Sequence, residues 1–267
     1  MQRPRNIPAA LPEAETIDIQ ALRRSLTDGS VELVCVLGPT ASGKTKYAVA
    51  LARDMGGEII SADSRQVYRG MDIGTGKDLA EYGDIPYHII DVANPGDGYN
   101  VFRFKEDFFR AYRDIRSRGA VPILCGGTGL YINAVTSGYD FRSRKPLSEP
   151  GRWPIGSAMT PPRTYFIGTL VSREVRNARI DARLDARLKE GMVDEIKGLL
   201  DAGVPAATLI NYGLEYKYVT LYLTGTLDYA SMREKLAIAI HQFAKRQMTW
   251  FRGMERSGTV IHWTEVH

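Results

Sequence analysis

Gly38-Pro39-Thr40-Ala41-Ser42-Gly43-Lys44-Thr45 fits the pattern G-x-x-x-x-G-K-[ST], in the surroundings that pattern requires. An apolar run rich in Val and Leu precedes it over 31–37. A helical period follows over 44–55, with Tyr47, Ala48, Leu51 and Ala52 recurring on one face. The chemistry explains the pattern: glycines let successive backbone N–H groups turn inward around phosphate oxygens, and a helix N-terminus adds partial positive charge. Lys44 would neutralise a terminal phosphate, and the Thr45 hydroxyl would help hold Mg2+. The bland reading is a glycine-rich turn that happens to match, and the strand–turn–helix setting argues against it. The loop alone does not name the phosphate compound. A nucleotide-dependent kinase or NTPase is the default, but no apolar strand clearly ends in a magnesium-binding acid; Ile89-Ile90-Asp91 and Asp63 come nearest.

Outward from this loop the pattern continues. Residues 58–61 and 87–92 read as a second and a third strand. Residues 101–118 read as an amphipathic helix, with Val101, Phe104, Phe108, Tyr112 and Ile115 on one face and Lys105, Arg110, Arg113 and Arg116 facing outward. Residues 121–125 form another apolar strand, followed by Gly126-Gly127-Thr128-Gly129 and a further helix. Strands alternating with helices predict the α/β class: a P-loop three-layer fold, its parallel sheet flanked by helices, with a mostly helical C-terminal part. The expected division is an N-terminal extension (1–30), a P-loop core (31–138), a proline-rich linker (139–163) and a C-terminal part completing the core (164–267). That last part begins with a strand over 164–171, runs helical to about residue 256 and ends in a strand over 259–263. Residues 1–30 are read as a frayed extension or a short amphipathic helix without chemistry.

Composition narrows the class. With 44% hydrophobic and 25% charged residues, the chain reads as a globular enzyme. A net charge of +4 permits a polyanionic partner without demanding one. Cys35 and Cys125 lie in apolar strand-like runs and are read as core residues, and no spacing suggests zinc. No apolar run is long enough to span a membrane, and residues 1–30 lack the apolar centre of a signal peptide, so a cytoplasmic protein is expected.

Asp63 follows the second strand, at the sheet edge where the phosphate loop also opens. Its position alone leaves two readings open, a catalytic base and a turn-capping residue. The helical stretch 175–188 sets Ile180, Leu184 and Leu188 on one stripe, with Arg176, Arg179, Arg183 and Arg187 beside it and Asp181 and Asp185 on the other flank. Solvated, internally paired charge is the bland reading there. In 232–256, Leu236, Ile240, Phe243, Trp250 and Met254 form an apolar stripe, while Lys245, Thr249, Arg252 and Arg256 form a more basic one. Contact with a phosphate backbone and a solvated face both remain open. His88 and His241 do not look like metal ligands.

GPTASGKT, ISADSRQVYRGMDIGTGK, PYHIIDV, GGTGLYI and AKRQMTWFR occur in that order, and together they resemble the tRNA dimethylallyltransferase family over 31–137 and 164–263. The resemblance implies transfer of a dimethylallyl group from dimethylallyl diphosphate to the exocyclic amine of the adenosine 3′-adjacent to the tRNA anticodon, without ATP. It implies that residues Gly38 to Thr45 cradle a diphosphate leaving group, with Mg2+ held at Thr45 and Lys44 stabilising the growing charge. Asp63 matches the family's proton acceptor, and Thr128 the residue that orients the target nucleotide. Ser64, Arg65 and Gln66 match contacts to the flipped-out base and its neighbours. An arginine in the R-I-x-x-R stretch grips the diphosphate, for which Arg183 is chosen first and Arg179 next. Lys245 and Arg246 are expected on the tRNA, with the anticodon stem-loop and dimethylallyl diphosphate as the partners and a monomer as the working state.

Two features depart from the family's pattern. The linker stands where a longer helical lobe is expected to embrace the anticodon stem-loop. Gly213-Leu214-Glu215-Tyr216 replaces the common G-Y-R-Q, which removes a positive charge. The shortened linker raises a second reading, prenyl transfer to a free adenine nucleotide. A P-loop kinase of small molecules is a third.

Overall fold

The structure is a computed structural model describing residues 11–137 and 160–266, so most of the expected linker lies outside the described residues. Strands β1 (Leu33–Leu37), β2 (Gly57–Ser61), β3 (Tyr87–His88), β4 (Val121–Gly126), β5 (Thr164–Leu170) and β6 (Ile261–Glu265) form one sheet in the order β3-β2-β4-β1-β5-β6. Every pairing is parallel, with registers such as Val36↔Cys125 and Val36↔Ile167 on either side of β1. Parallel strands need crossovers, and the crossovers put helices on both faces.

Alternation along the strands sorts the core into two layers. Leu33, Cys35, Leu37, Ile60 and Leu124 face one way, toward α3 (Val101–Ser117), α4 (Gly129–Thr136), α8 (Leu214–Leu223) and α9 (Tyr229–Arg256). Val34, Val36, Ile59, Ile123 and Ile167 face the other way, toward α1 (Ile19–Thr27) and α2 (Lys44–Met55). Both cysteines are buried and unpaired, one in each layer, as core residues should be. The chain before β1 takes the helical alternative: Asp18 caps α1 by accepting the Ala21 N–H, and Ile17 and Leu22 are buried in the second layer.

The remaining helices are α5 (Arg173–Glu190), α6 (Met192–Asp201) and α7 (Ala206–Asn211). Two sequence expectations need correction. The third strand stops at His88, because Ile89 (φ 63) and Asp91 (φ 56) turn left-handed. Asp91 then pairs with the buried ammonium of Lys77, together with Asp72 at 2.8 Å, instead of ending a strand at the phosphate loop. Trp250, placed above on an apolar stripe, is 43% exposed, with its ring edge against Gly129.

Candidate active site

The loops that follow β1, β2 and β4 open on the same edge of the sheet, where ligands bind in open parallel α/β folds. Between them lies a cleft of about 640 Å³, counting its open mouth, within the usual range for small-molecule sites. Thr40, Lys44, Thr45, Asp63, Arg65 and Gln66 line it, together with Asp78, Glu81, Arg183, Arg187 and Glu215.

The phosphate loop is built for close approach. A Cβ on Gly38 would lie 2.2 Å from Thr169 Oγ1, so only glycine fits. Ser42 Oγ and Thr169 Oγ1 share a hydrogen bond of 2.6 Å that ties the loop to β5. Ala41 (φ 62) and Gly43 (φ 80) both adopt the left-handed conformation. For Ala41 that is a strained state of the kind found at ligand clamps. Gly43 caps α2 without a side-chain bond, which leaves the first-turn amides to a ligand. Lys44 is partly buried at the helix start; desolvation holds its ammonium below the usual range, with Asp63 working against that shift. An anion beside it would relieve the penalty.

Asp63 caps its turn, one of the two readings left open by its position, and also faces the cleft. Its Oδ1 accepts the Arg65 N–H at 3.0 Å, which caps the turn, and it lines the cleft. Arg65 Nε approaches the same Oδ1 at 3.6 Å. Both contacts fall on one oxygen, so the other is available to a substrate. Thr128 Oγ1 accepts the Ser64 N–H at 3.2 Å and lies 3.4 Å from Ser64 Oγ, which joins the turn after β2 to the loop after β4. Gln66 is an internal brace as well as a lining residue: its Oε1 accepts Ser61 Oγ–H at 3.0 Å, and its Nε2 donates to the Gly76 carbonyl at 3.2 Å. Cys125 also lines the cleft, but burial pushes its thiol up to about 12, which excludes a thiolate nucleophile near neutral pH.

On α5 the arginines divide. Arg183 and Arg187 face the cleft, each 3.9 Å from Asp78, whereas Arg179 does not line it. Arg187 is the more enclosed of the pair at 13% exposure. Desolvation first and then the neighbouring Arg183 push it below the usual guanidinium range. The other flank of α5 carries paired charge as the bland reading held, but the partners lie across on α9 and not within the helix: Asp185 binds Arg233 and Asp181 binds His241. Lys245 and Arg246 are exposed on α9, with the Arg246 guanidinium 5.9 Å from the centre of the Phe243 ring. Arg252 pairs with Glu255 within the same helix.

Two functional candidates lie beyond the reading of the sequence. Gln247, buried on α9, accepts the Thr40 N–H at 2.8 Å and donates to the Gly127 carbonyl at 3.0 Å, bridging the phosphate loop to the loop that carries Thr128. Glu195 on α6 accepts the N–H groups of Asp72, Ile73 and Gly74 and the Tyr216 hydroxyl, which fixes the segment leading to Asp78. Lone polar letters on helices give little signal, because their partners are distant in sequence. Glu215, noted above only as a lost positive charge, is buried and binds Arg65 at 2.8 Å.

Comparison with known proteins identifies the family. A sequence model of the IPP transferase family matches residues 66–152 and 141–254, and one described as isopentenyl transferase matches 31–82. The chain is 47% identical to tRNA dimethylallyltransferase 1 of Parabacteroides distasonis, over 89% of this chain and 93% of the relative. It is 49% identical to tRNA dimethylallyltransferase 1 of Porphyromonas gingivalis, over 88% and 94%. The first alignment spans 286 positions against a chain of 267 residues, so that relative carries residues this chain lacks. Among solved structures, the full-length tRNA isopentenylpyrophosphate transferase of Bacillus halodurans superposes with a TM-score of 0.74 at 31% identity, covering 88% of this chain and 89% of that one. With the phosphate loop and Asp63 on one cleft, Thr128 joined through Ser64 to the turn that carries Asp63, and relatives of this similarity along nearly its whole length, the chain belongs to the tRNA dimethylallyltransferase family.

Proposed function

We propose that the protein transfers a dimethylallyl group from dimethylallyl diphosphate to the exocyclic amine of the adenosine 3′-adjacent to a tRNA anticodon. One observation carries the reading: a single cleft is lined by a phosphate loop, two further cations from α5 and a carboxylate with an available oxygen.

The chain's own groups divide the work. Loop amides and Lys44 receive the diphosphate, and Arg183 with Arg187 close on it from α5. As the allylic carbon–oxygen bond breaks, negative charge accumulates on the leaving diphosphate, and these preorganised donors stabilise it more than they stabilise the bound substrate. The amine nitrogen attacks the allylic carbon and must lose a proton, which Asp63 accepts on its available oxygen. Thr128 and Ser64 border the approach and orient the nucleotide. A base can reach this closed cleft only after leaving its stack. Mg2+ fits the donor set, since the Thr45 hydroxyl and the carboxylates of Asp78 and Glu81 face the same cleft and such an ion is usually completed by phosphate oxygens and water; it would supply further charge neutralisation for the diphosphate. Burial, followed by Asp78, raises the Glu81 carboxyl above its usual range, a penalty that a nearby cation would lift.

The family model matches in two segments that meet at 141–152, and an alignment longer than the chain points to a shortened insertion there. On this reading the helical lobe around the anticodon stem is reduced, and Lys245 and Arg246 on α9 carry more of the tRNA contact.

The direct test is label transfer from dimethylallyl diphosphate with Mg2+, offering unmodified tRNA and AMP in parallel. Label on the adenosine beside the anticodon is expected. Label on AMP alone would move the protein to free-nucleotide prenylation, and label on neither would remove the transferase reading.

A further inference from the structure

The side chain of Arg65 lines the cleft and is held by four neighbours. Its Nη1 donates to Glu215 Oε2 at 2.8 Å, its Nε lies 3.6 Å from Asp63 Oδ1, and its guanidinium carbon sits 5.7 Å from the centre of the Phe243 ring. Below it is Gly213 at φ 144, where a Cβ would stand 2.8 Å from Arg65 Cδ, so the backbone before α8 leaves room for this side chain alone. Glu215 itself is 5% exposed and lines the cleft. Burial works against the Arg65 charge, but Glu215 first and Asp63 second more than offset it and hold the guanidinium firmly protonated. One permanent cation is therefore shared between two carboxylates, and Glu215 makes the closer contact.

We propose that Glu215 is a positioning residue for the transfer step: by taking the larger share of Arg65, it leaves Asp63 basic enough to accept the proton of the incoming amine. The proposal rests on the assignment of Asp63 as proton acceptor made above. A carboxylate facing an undivided guanidinium is strongly stabilised in its ionised form and is correspondingly a weaker base. The other groups around Asp63 are Lys44 from α2, Tyr82, Cys125 on β4 and Tyr131 on α4. Among these Lys44 is the other cation, and the diphosphate would engage it in the working complex. Arg183 and Arg187 line the same cleft, and the diphosphate would engage them as well; Arg187 also faces Glu215. Arg65 is then the cation in closest contact with Asp63, and Glu215 is what restrains Arg65.

The test is the pH profile of single-turnover transfer to tRNA at saturating dimethylallyl diphosphate, for wild type, Asp63→Asn, Glu215→Gln and Arg65→Gln. Wild-type transfer with a silent Asp63→Asn supports the underlying assignment; failure of either removes that assignment and this inference with it. Given both, Glu215→Gln is expected to lower the plateau and move the acid limb about one unit toward lower pH, because Arg65 then falls on Asp63 alone. Arg65→Gln is expected to move the limb about one unit the other way, because the cation is gone. Opposite displacements cannot come from general loosening of the site, and either variant carries the test if the other fails to fold. Limbs that stay in place, or move in the same direction, overturn the proposal while leaving Asp63 as the base.

Discussion

Gln247 shows how one side chain can hold two halves of a reaction in register. Its amide accepts from the phosphate loop and donates to the loop of Thr128, so the loop proposed to hold the leaving group and the loop proposed to orient the base share one buried anchor. Replacing it with leucine would leave the buried Gly127 carbonyl unpaired, at about 1–3 kcal/mol, and would free the part-buried Thr40 N–H at the cleft. Gln247→Leu is therefore expected to lower thermal stability measurably and to slow transfer more than it weakens dimethylallyl diphosphate binding. Calorimetry beside a transfer assay reads both, and an unchanged melting temperature would contradict the bridge. Arg187 gives the complementary case. It is enclosed and only loosely paired at 3.9 Å, which leaves its donors to the diphosphate. Arg187→Ala is expected to raise the KM for dimethylallyl diphosphate by about tenfold or more, with a far smaller effect from Arg179→Ala. Equal effects from the two substitutions would overturn the assignment of grip to the cleft-facing side of α5.

At the scale of elements, the site depends on how the segment after β2 is pinned. Glu195 gathers three consecutive N–H groups and the Tyr216 hydroxyl, so one carboxylate on α6 fixes the turn that brings Asp78 and Gly76 to the cleft. Glu195→Gln keeps the size but replaces one of the two acceptor oxygens with an NH2 donor that would face two of these donors, so it is expected to destabilise the protein by about 1.5–3 kcal/mol in a denaturant titration. An unfolding midpoint equal to wild type would show that the segment is held by other contacts. Elements of this kind also mark what sequence can reveal. The turn at Gly38 to Thr45 is legible because conformation and chemistry are both local: glycine at fixed offsets, lysine at a helix start, an apolar strand before it. The contacts of Glu195, Glu215 and Gln247 are set by tertiary packing between residues more than a hundred positions apart, except for the Glu195–Tyr216 bond. The third strand reads too long in the sequence for a related reason. Ile89, Ile90 and Val92 look like strand, but the Lys77–Asp91 pair bends the chain away after His88.

The molecule as a whole joins two interaction regimes. The cleft is small and polar and suits a diphosphate, whereas α9 presents positive charge on an exposed face through Lys245 and Arg246. On the proposed function, binding to tRNA is expected to lean on that helix. Lys245→Ala combined with Arg246→Ala should weaken tRNA binding and reduce its salt dependence by about one unit of slope per cation removed. An unchanged affinity and slope would make that face a solvated one. The central claim is that this one cleft separates leaving-group stabilisation from proton removal, with the loop doing the first and Asp63 the second. Its most direct test pairs two readings on Asp63→Ala: transfer to tRNA and equilibrium binding of dimethylallyl diphosphate. Transfer is expected to fall by about 100-fold or more with diphosphate affinity nearly unchanged; transfer near the wild-type rate would overturn this division of labour.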